Sequence, residues 1–183
     1  MQKVDSKKTP KLLITPTGVD FDGTRMRLGE SIRRWGEVLK VKPRCSNEKP
    51  VPKMCIWDSI GIQLLTKGGS DDSVIQLEVH LSLEDNSWMD FVIEKPDGTL
   101  VAPIVDWMPH APFKGYLELD GVAIDAQTKL SKVIAGVKPE RNFHCGLLDC
   151  TAARGVLGNM HLQAEPEGQN SQGVIQRISV NSN

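Results

Sequence analysis

The sequence predicts an α+β protein built from two tandem copies of one unit: a hairpin, a helix and an antiparallel meander, with each helix packed on a sheet face. Three short anchors lead to this, because they recur in the same order along the 183 residues. Asp22-Gly23 is matched by Asp120-Gly121 at a spacing of 98, Val41-Lys42-Pro43 by Val137-Lys138-Pro139 at 96, and Val74-Ile75-Gln76 by Val174-Ile175-Gln176 at 100. At the first spacing Phe21, Met26, Ile32 and Trp35 align with Leu119, Ile124, Leu130 and Val133, so apolar meets apolar each time. The chain then divides into residues 1–82, a first unit with an N-terminal extension; 83–115, a connecting excursion; and 116–183, a second unit.

In the first unit, residues 12–14 and 19–28 alternate apolar and polar around Asp22-Gly23, a two-residue turn signal for a hairpin. From Ser31 a helix is expected, since Ile32, Trp35, Val38 and Leu39 share one face of a 3.6-residue period while Arg33, Arg34 and Glu37 take the other. Pro43 stops it from running on. Strands are expected over 54–57, 60–65 and 74–81, with a turn at Gly68-Gly69-Ser70-Asp71-Asp72. Trp35, on the helix stripe, and Trp57, on the strand it covers, are expected core residues. In the second unit residues 116–124 supply the hairpin and Asp125 is the expected N-cap. Ala126, Leu130, Val133 and Ile134 make the helix stripe, and Gly136 the left-handed cap. Weaker strands follow near 156–164 and 174–180. Within the excursion, Pro96-Asp97-Gly98-Thr99 reads as the turn of a further hairpin between 90–94 and 100–105.

Hydrophobic residues make up 39% and charged residues 25% of the chain, a composition that excludes a disordered polyampholyte or a collagen-like chain. No apolar run approaches the ~20 residues that cross a bilayer, and the opening residues lack a signal-peptide core, so a cytoplasmic protein with no membrane contact is expected. On that basis Cys45, Cys55, Cys145 and Cys150 are expected to be thiols; in an oxidising setting they can pair in three ways.

Gly23, Leu28, Gly29, Ser31, Trp35, Val38, Leu39, Pro43 and Arg44, then Trp57-Asp58 and Gly61-Ile62, follow a pattern. It resembles that of an uncharacterised family of bacterial proteins, in which a DG turn leads to LG-x-S-x-x-x-W-x-x-VLG, a Pro-Arg loop and WD-x-x-GI. The family's usual glycine after VL is Lys40 here. Ala111-Pro112-Phe113-Lys114-Gly115-Tyr116 with Asp120-Gly121 is similar to its second part. More distantly, a helix followed by antiparallel strands, occurring twice, is similar to the repeats of SmpA-type lipoproteins and β-lactamase inhibitor proteins, which bind other proteins. The resemblance implies no catalytic residues and, by analogy, an immunity partner of an interbacterial toxin.

The net charge of −1 conceals segregation. Residues 1–53 carry thirteen Lys/Arg against six Asp/Glu, residues 54–125 three against thirteen, and residues 126–183 six against four, giving +7, −10 and +2. In the acidic middle, Asp90, Glu94, Asp97 and Asp106 interleave with Trp88, Phe91 and Trp107, the composition of a surface that meets a basic protein. These seven residues are the expected partner-binding site. The basic first third does not point to nucleic acid, because the chain as a whole is not basic and lacks aromatic stacking motifs.

Catalytic, metal and cofactor signatures are weak by comparison. His144-Cys145 and Cys150 have soft donors but no CxxC pair, and a zinc site would need Cys45 and Cys55 from the other unit. None of His80, His110, His144 and His161 lies in a local nucleophile signature. The expected function is a non-enzymatic protein-binding module, most concretely a cytoplasmic bacterial immunity protein against a toxin, with no cofactor, no metal and no catalytic residue. The alternatives are a hydrolase using the Cys/His residues of the second unit, and a structural module.

Overall fold

The computed structural model describes residues 5–46, 52–83, 93–94, 100–101, 108–145, 149–152, 160–164 and 173–182. The fold is α+β, mostly strand, with two principal sheets sharing one apolar core. The first strands are β1 (Lys11–Thr15), β2 (Gly18–Phe21) and β3 (Thr24–Met26). Helix α1 (Ile32–Leu39) follows, and then β4 (Arg44–Cys45), β5 (Met54–Trp57), β6 (Ile62–Gly68) and β7 (Asp71–His80). Strands β8 (Ile93–Glu94) and β9 (Leu100–Val101) lie in the excursion. The second half contains β10 (Tyr116–Leu119), β11 (Val122–Ile124), α2 (Leu130–Gly136), a 3-10 turn (Pro139–Arg141), β12 (Phe143–Cys145), β13 (Asp149–Ala152), β14 (Met160–Ala164) and β15 (Ile175–Asn181).

The five-stranded sheet has the order β11-β10-β1-β2-β3. Both DG turns have Asp and Gly at positive φ (Asp22 48° and Gly23 82°, Asp120 51° and Gly121 93°), the type I′ geometry that a right-twisted hairpin favours. Between the two hairpins lies β1, antiparallel to β2 but parallel to β10, a pairing that the expected all-antiparallel meander does not contain. Its alternation places Leu12 and Ile14 inward, in rows that run Phe21–Leu12–Leu117–Ile124 and Met26–Val19–Ile14–Leu119. All eight side chains are buried.

The eight-stranded sheet has the order β12-β13-β14-β15-β7-β6-β5-β4, antiparallel throughout. At its centre Leu77 opposes Val180, Glu78 opposes Ser179, and Val79 opposes Ile178. Both halves carry a bulge near the same place: Ile75 is the extra residue between the pairs Leu65/Gln76 and Thr66/Val74, and Gln176 between Gln163/Arg177 and Ala164/Ile175; the β6–β7 pairing shifts once more, between Thr66/Val74 and Gly68/Asp71.

Ser31 caps α1 by accepting a hydrogen bond from Arg34 N at 3.3 Å, and Trp35, Val38 and Leu39 face inward. The helix ends before Pro43 is reached, because Lys40 adopts a left-handed φ of 58° and donates its N–H to Gly36 O. Trp35 and Trp57 are both fully buried, and Trp57 Nε1 donates to Val41 O at 2.7 Å. The second helix departs from expectation at both ends. Its N-cap is Lys129, four residues after Asp125, whose carboxylate instead closes a local turn by accepting from Gln127 N and Thr128 Oγ1. Gly136 is the last helical residue rather than a left-handed cap; a Cβ there would lie 2.7 Å from Val122 Cγ2, so close packing on β11 requires glycine.

The expectation of four thiols is corrected. Cys45–Cys55 and Cys145–Cys150 are disulfides, each joining directly opposed residues of an edge strand and its neighbour. Of the four strands carrying them, β5 was expected from the sequence and β4, β12 and β13 were not.

Candidate functional site

The excursion that bears the expected binding residues leaves and returns at one corner of the eight-stranded sheet. On the departing side Leu81 N and Ser82 N both donate to Gln176 O, at 2.7 and 3.2 Å, so the end of β7 is held against β15. The returning side is fixed by the turn between β5 and β6. Arg44 reaches Asp58 through two hydrogen bonds, Nε to Oδ2 at 3.1 Å and Nη2 to Oδ1 at 3.0 Å, and its Nη2 also donates to Met108 O at 3.1 Å. Asp58 in turn accepts from His110 N at 3.2 Å, and its main-chain carbonyl accepts from Ala111 N at 3.0 Å.

Behind this clamp the backbone of residues 111–113 lies on Gly61. A Cβ at Gly61 would fall 2.3 Å from Phe113 N, and its φ of +62° independently selects glycine. Phe113 N donates to His80 O at 2.7 Å and its ring is buried. The hydrogen-bonded Arg44 guanidinium holds the Asp58 carboxyl below the usual aspartate range; partial burial opposes this, and His110 adds to the lowering. Pro-Arg, Trp-Asp and Ala-Pro, three separate pieces of the sequence pattern, therefore form one contact.

Beside the corner, the face of the eight-stranded sheet turned away from the core carries a polar cluster. Gln76 Nε2 donates to Glu78 Oε1 at 2.5 Å and to Ser179 Oγ at 3.1 Å; Arg177 Nη1 donates to Glu78 Oε2 at 3.3 Å; and His80 Nε2 lies 3.5 Å from the same oxygen. Burial alone raises the affinity of Glu78 for a proton, but His80, Arg177 and Gln76 outweigh it and keep the carboxyl below its ordinary value. The cluster ties β7 to β15 across the middle of the sheet.

Of the expected partner-binding residues, Trp88, Asp90, Phe91, Asp97, Asp106 and Trp107 lie outside the described residues. Glu94 falls in β8, which pairs with β9 across the expected Pro96–Thr99 turn, Glu94 opposite Leu100. All four cysteines are tied in disulfides, which removes the thiolate that a cysteine nucleophile or a zinc ligand requires. His144 is exposed, His110 is 63% exposed at the clamp, and His80 is buried in the polar cluster. Sequence reasoning missed the Arg44–Asp58 clamp as a site. Both residues belong to the quoted pattern, but nothing in one sequence pairs residues 44 and 58 with a loop at 108.

Residues 11–133 match the model of a family described as Domain of unknown function (DUF7738), a span from β1 into α2 that includes the clamp and the loop it holds. No curated protein and no solved structure matches the chain. Among the described residues no helix is long and apolar enough to cross a membrane.

Proposed function

The chain belongs to the family Domain of unknown function (DUF7738), and from that premise we propose that it is a non-enzymatic protein-binding module, a bacterial immunity protein that covers and neutralises a toxin. The observation that carries this reading is the anchoring of the excursion. Its two ends are pinned at one corner by Gln176 O on one side and by Arg44, Asp58 and Gly61 on the other. An acidic, tryptophan-bearing stretch with a preset base loses less freedom on meeting a basic partner than a free linker does. Trp88, Asp90, Phe91, Glu94, Asp97, Asp106 and Trp107 are its partner-facing residues in this reading. The hydrolase alternative loses its nucleophile with the pairing of Cys145 and Cys150.

The same reading treats the two halves as tandem copies. Supporting it are the matched DG turns, a helix start offset of 98 (Ser31 and Lys129 as N-caps), and bridges from those caps to Ser73 and Val174. The bridges set the last strands 101 apart, one more than the repeated tripeptide suggests, and at 101 the bulged residues Ile75 and Gln176 coincide. At that offset the central pairs Leu77/Val180 and Val79/Ile178 exchange with each other, as in a two-fold strand pair. A cross-strand disulfide closes the sheet at each end.

The cytoplasmic setting expected from the lack of an export signal, and with it the four thiols, gives way in this proposal to an oxidising compartment, where disulfides persist. Two experiments test the function. The immobilised chain is exposed to an extract of its source bacterium, and binding of the captured basic protein is then timed with an Asp90→Lys, Glu94→Lys, Asp97→Lys variant and with Trp88→Ala. The expected outcome is slower association with a flatter salt dependence for the charge reversal, and faster dissociation, by roughly 2 kcal/mol or more, for Trp88→Ala. Unchanged rates in variants that fold by circular dichroism overturn the assignment of the excursion.

A further inference from the structure

The acidic excursion leaves the opposite charge of the molecule unused. Between Thr24 and Lys42 six bases are exposed, Arg25, Arg27, Arg33, Arg34, Lys40 and Lys42, against one exposed acid, Glu37. The periodicity of α1 orders them. Trp35, Val38 and Leu39 point into the core, so Arg33, Arg34 and, one turn further, Glu37 lie on the outward side; the helix ends at Leu39, and the exposed Lys40, Val41 and Lys42 follow beyond its left-handed cap. Glu37 lies 3.7 Å from Arg34 in an exposed pair, which contributes little and leaves the face strongly positive.

Two further observations concern the end of this face. Lys40 is held at a φ of +58°, a left-handed conformation that favours glycine over any side chain, so a charge stands at the helix tip at the expense of stability. Val41 is the one exposed large hydrophobic residue among those described, at 38%, and it sits between two exposed lysines. Its carbonyl is pinned by Trp57 Nε1 at 2.7 Å, so the tip is presented on a fixed backbone.

A basic helix face ending in a Lys-Val-Lys tip has the make-up of a surface that attracts anionic headgroups and inserts a small apolar wedge between them. We propose that the outward face of α1 and its Lys40-Val41-Lys42 tip dock the protein on an anionic, phosphate-bearing bilayer surface. The choice of lipid over nucleic acid rests on the oxidising compartment inferred above; the surface itself does not depend on the toxin-binding reading. It departs from the expectation of no membrane contact, which came from the absence of a spanning segment and says nothing of peripheral docking.

The test is cosedimentation of the full chain with vesicles of phosphatidylcholine alone or with about 30% phosphatidylglycerol, at about 0.1 M and about 0.5 M salt, where screening shortens from roughly 10 Å to under half that. The expected result is at least about tenfold greater uptake on the anionic vesicles at low salt, abolished at high salt. Arg33→Glu with Arg34→Glu removes this preference, and Val41→Ser lowers uptake without changing its salt dependence. Circular dichroism checks folding, and Lys40→Gln with Lys42→Gln repeats the test should the reversal unfold. No uptake by the native chain, unchanged uptake by the folded charge variants, or equally tight retention on polyglutamate or duplex DNA at the same salt overturns the proposal.

Discussion

The two halves of the chain carry the same Val-Lys-Pro run followed by an arginine, and the arginines are aimed at different targets. In the second half Arg141 closes on Asp120 of the DG turn, with Nε to Oδ2 at 2.6 Å and Nη2 to Oδ1 at 2.7 Å, and both side chains are nearly inaccessible, at 7% and 0%. In the first half the matching aspartate, Asp22, has no arginine in that role; its Oδ1 accepts from Lys11 N at 2.7 Å. Arg44 is displaced onto β4 and holds Asp58 and the excursion loop, at 33% and 26% exposure. The difference teaches where a fold places its polar pairs. The buried pair joins its hairpin to the chain beyond α2 out of reach of water, whereas the half-exposed pair fastens the loop at Met108 where water reaches it.

The comparison breaks most readily in the core. Trp35→Ala is expected to cost on the order of 3–5 kcal/mol, whereas Val133→Ala, at the matching position of α2, removes two methyl groups and costs roughly 1.5–2.5 kcal/mol. Denaturant unfolding measures both, and equal losses show that the two stripes do not bear comparable positions. The arginines give the next contrast. Arg141→Ala leaves a buried aspartate unpaired and is expected to cost about 3–5 kcal/mol. Arg44→Ala costs about 1 kcal/mol, because water reaches Asp58, but it raises the Asp58 pKa toward its ordinary value of 3.8, which carboxyl-resolved NMR titration reads. An unmoved Asp58 in that variant shows that the clamp is not formed.

Acid unfolding tests the seam between the halves. Glu78 is depressed below its ordinary value of 4.5, so its contribution is fully present above that pH and is lost as the pH falls through the lower folded value. Glu78→Gln should therefore flatten the fall in stability in that acid window and leave the slope near neutrality unchanged. The smallest effect concerns the helix ends. Lys40→Gly relieves a left-handed side chain and is expected to raise stability by about 0.5–1 kcal/mol; α2 has no such residue, since Val137 at its C-cap is extended. A thermal midpoint that does not rise shows that the tip is held by contacts of the lysine stem.

Hairpins and helices were legible because each has its own period: alternation around a DG turn is visible in nine residues, and the α1 stripe in eight. Strands β4, β12 and β13 were not, because two to four residues give no period and each contains a cysteine, which composition alone reads as a thiol or ligand. The Asp125 cap failed for a local reason, since Thr128 offers its hydroxyl and turns the aspartate away from the helix start. Of the candidate site, sequence supplied the excursion and its charge. The clamp beneath it depends on residues 44, 58, 61 and 108–113 meeting, which only the sheet order brings about.

The parallel pairing of β1 with β10 bears on the order in which the molecule is made. Lys11 pairs with Tyr116, 105 positions later, so during synthesis the first strand leaves the ribosome with one edge satisfied by β2 and the other bare until most of the chain has emerged. The local hairpins β5–β6–β7 close early, at little entropic cost, whereas the β1–β10 seam must await a long loop closure. A chain cut short before β10 therefore leaves one edge of the strand carrying Leu12 and Ile14 unpaired, and an unpaired strand edge is a template on which another chain can pair.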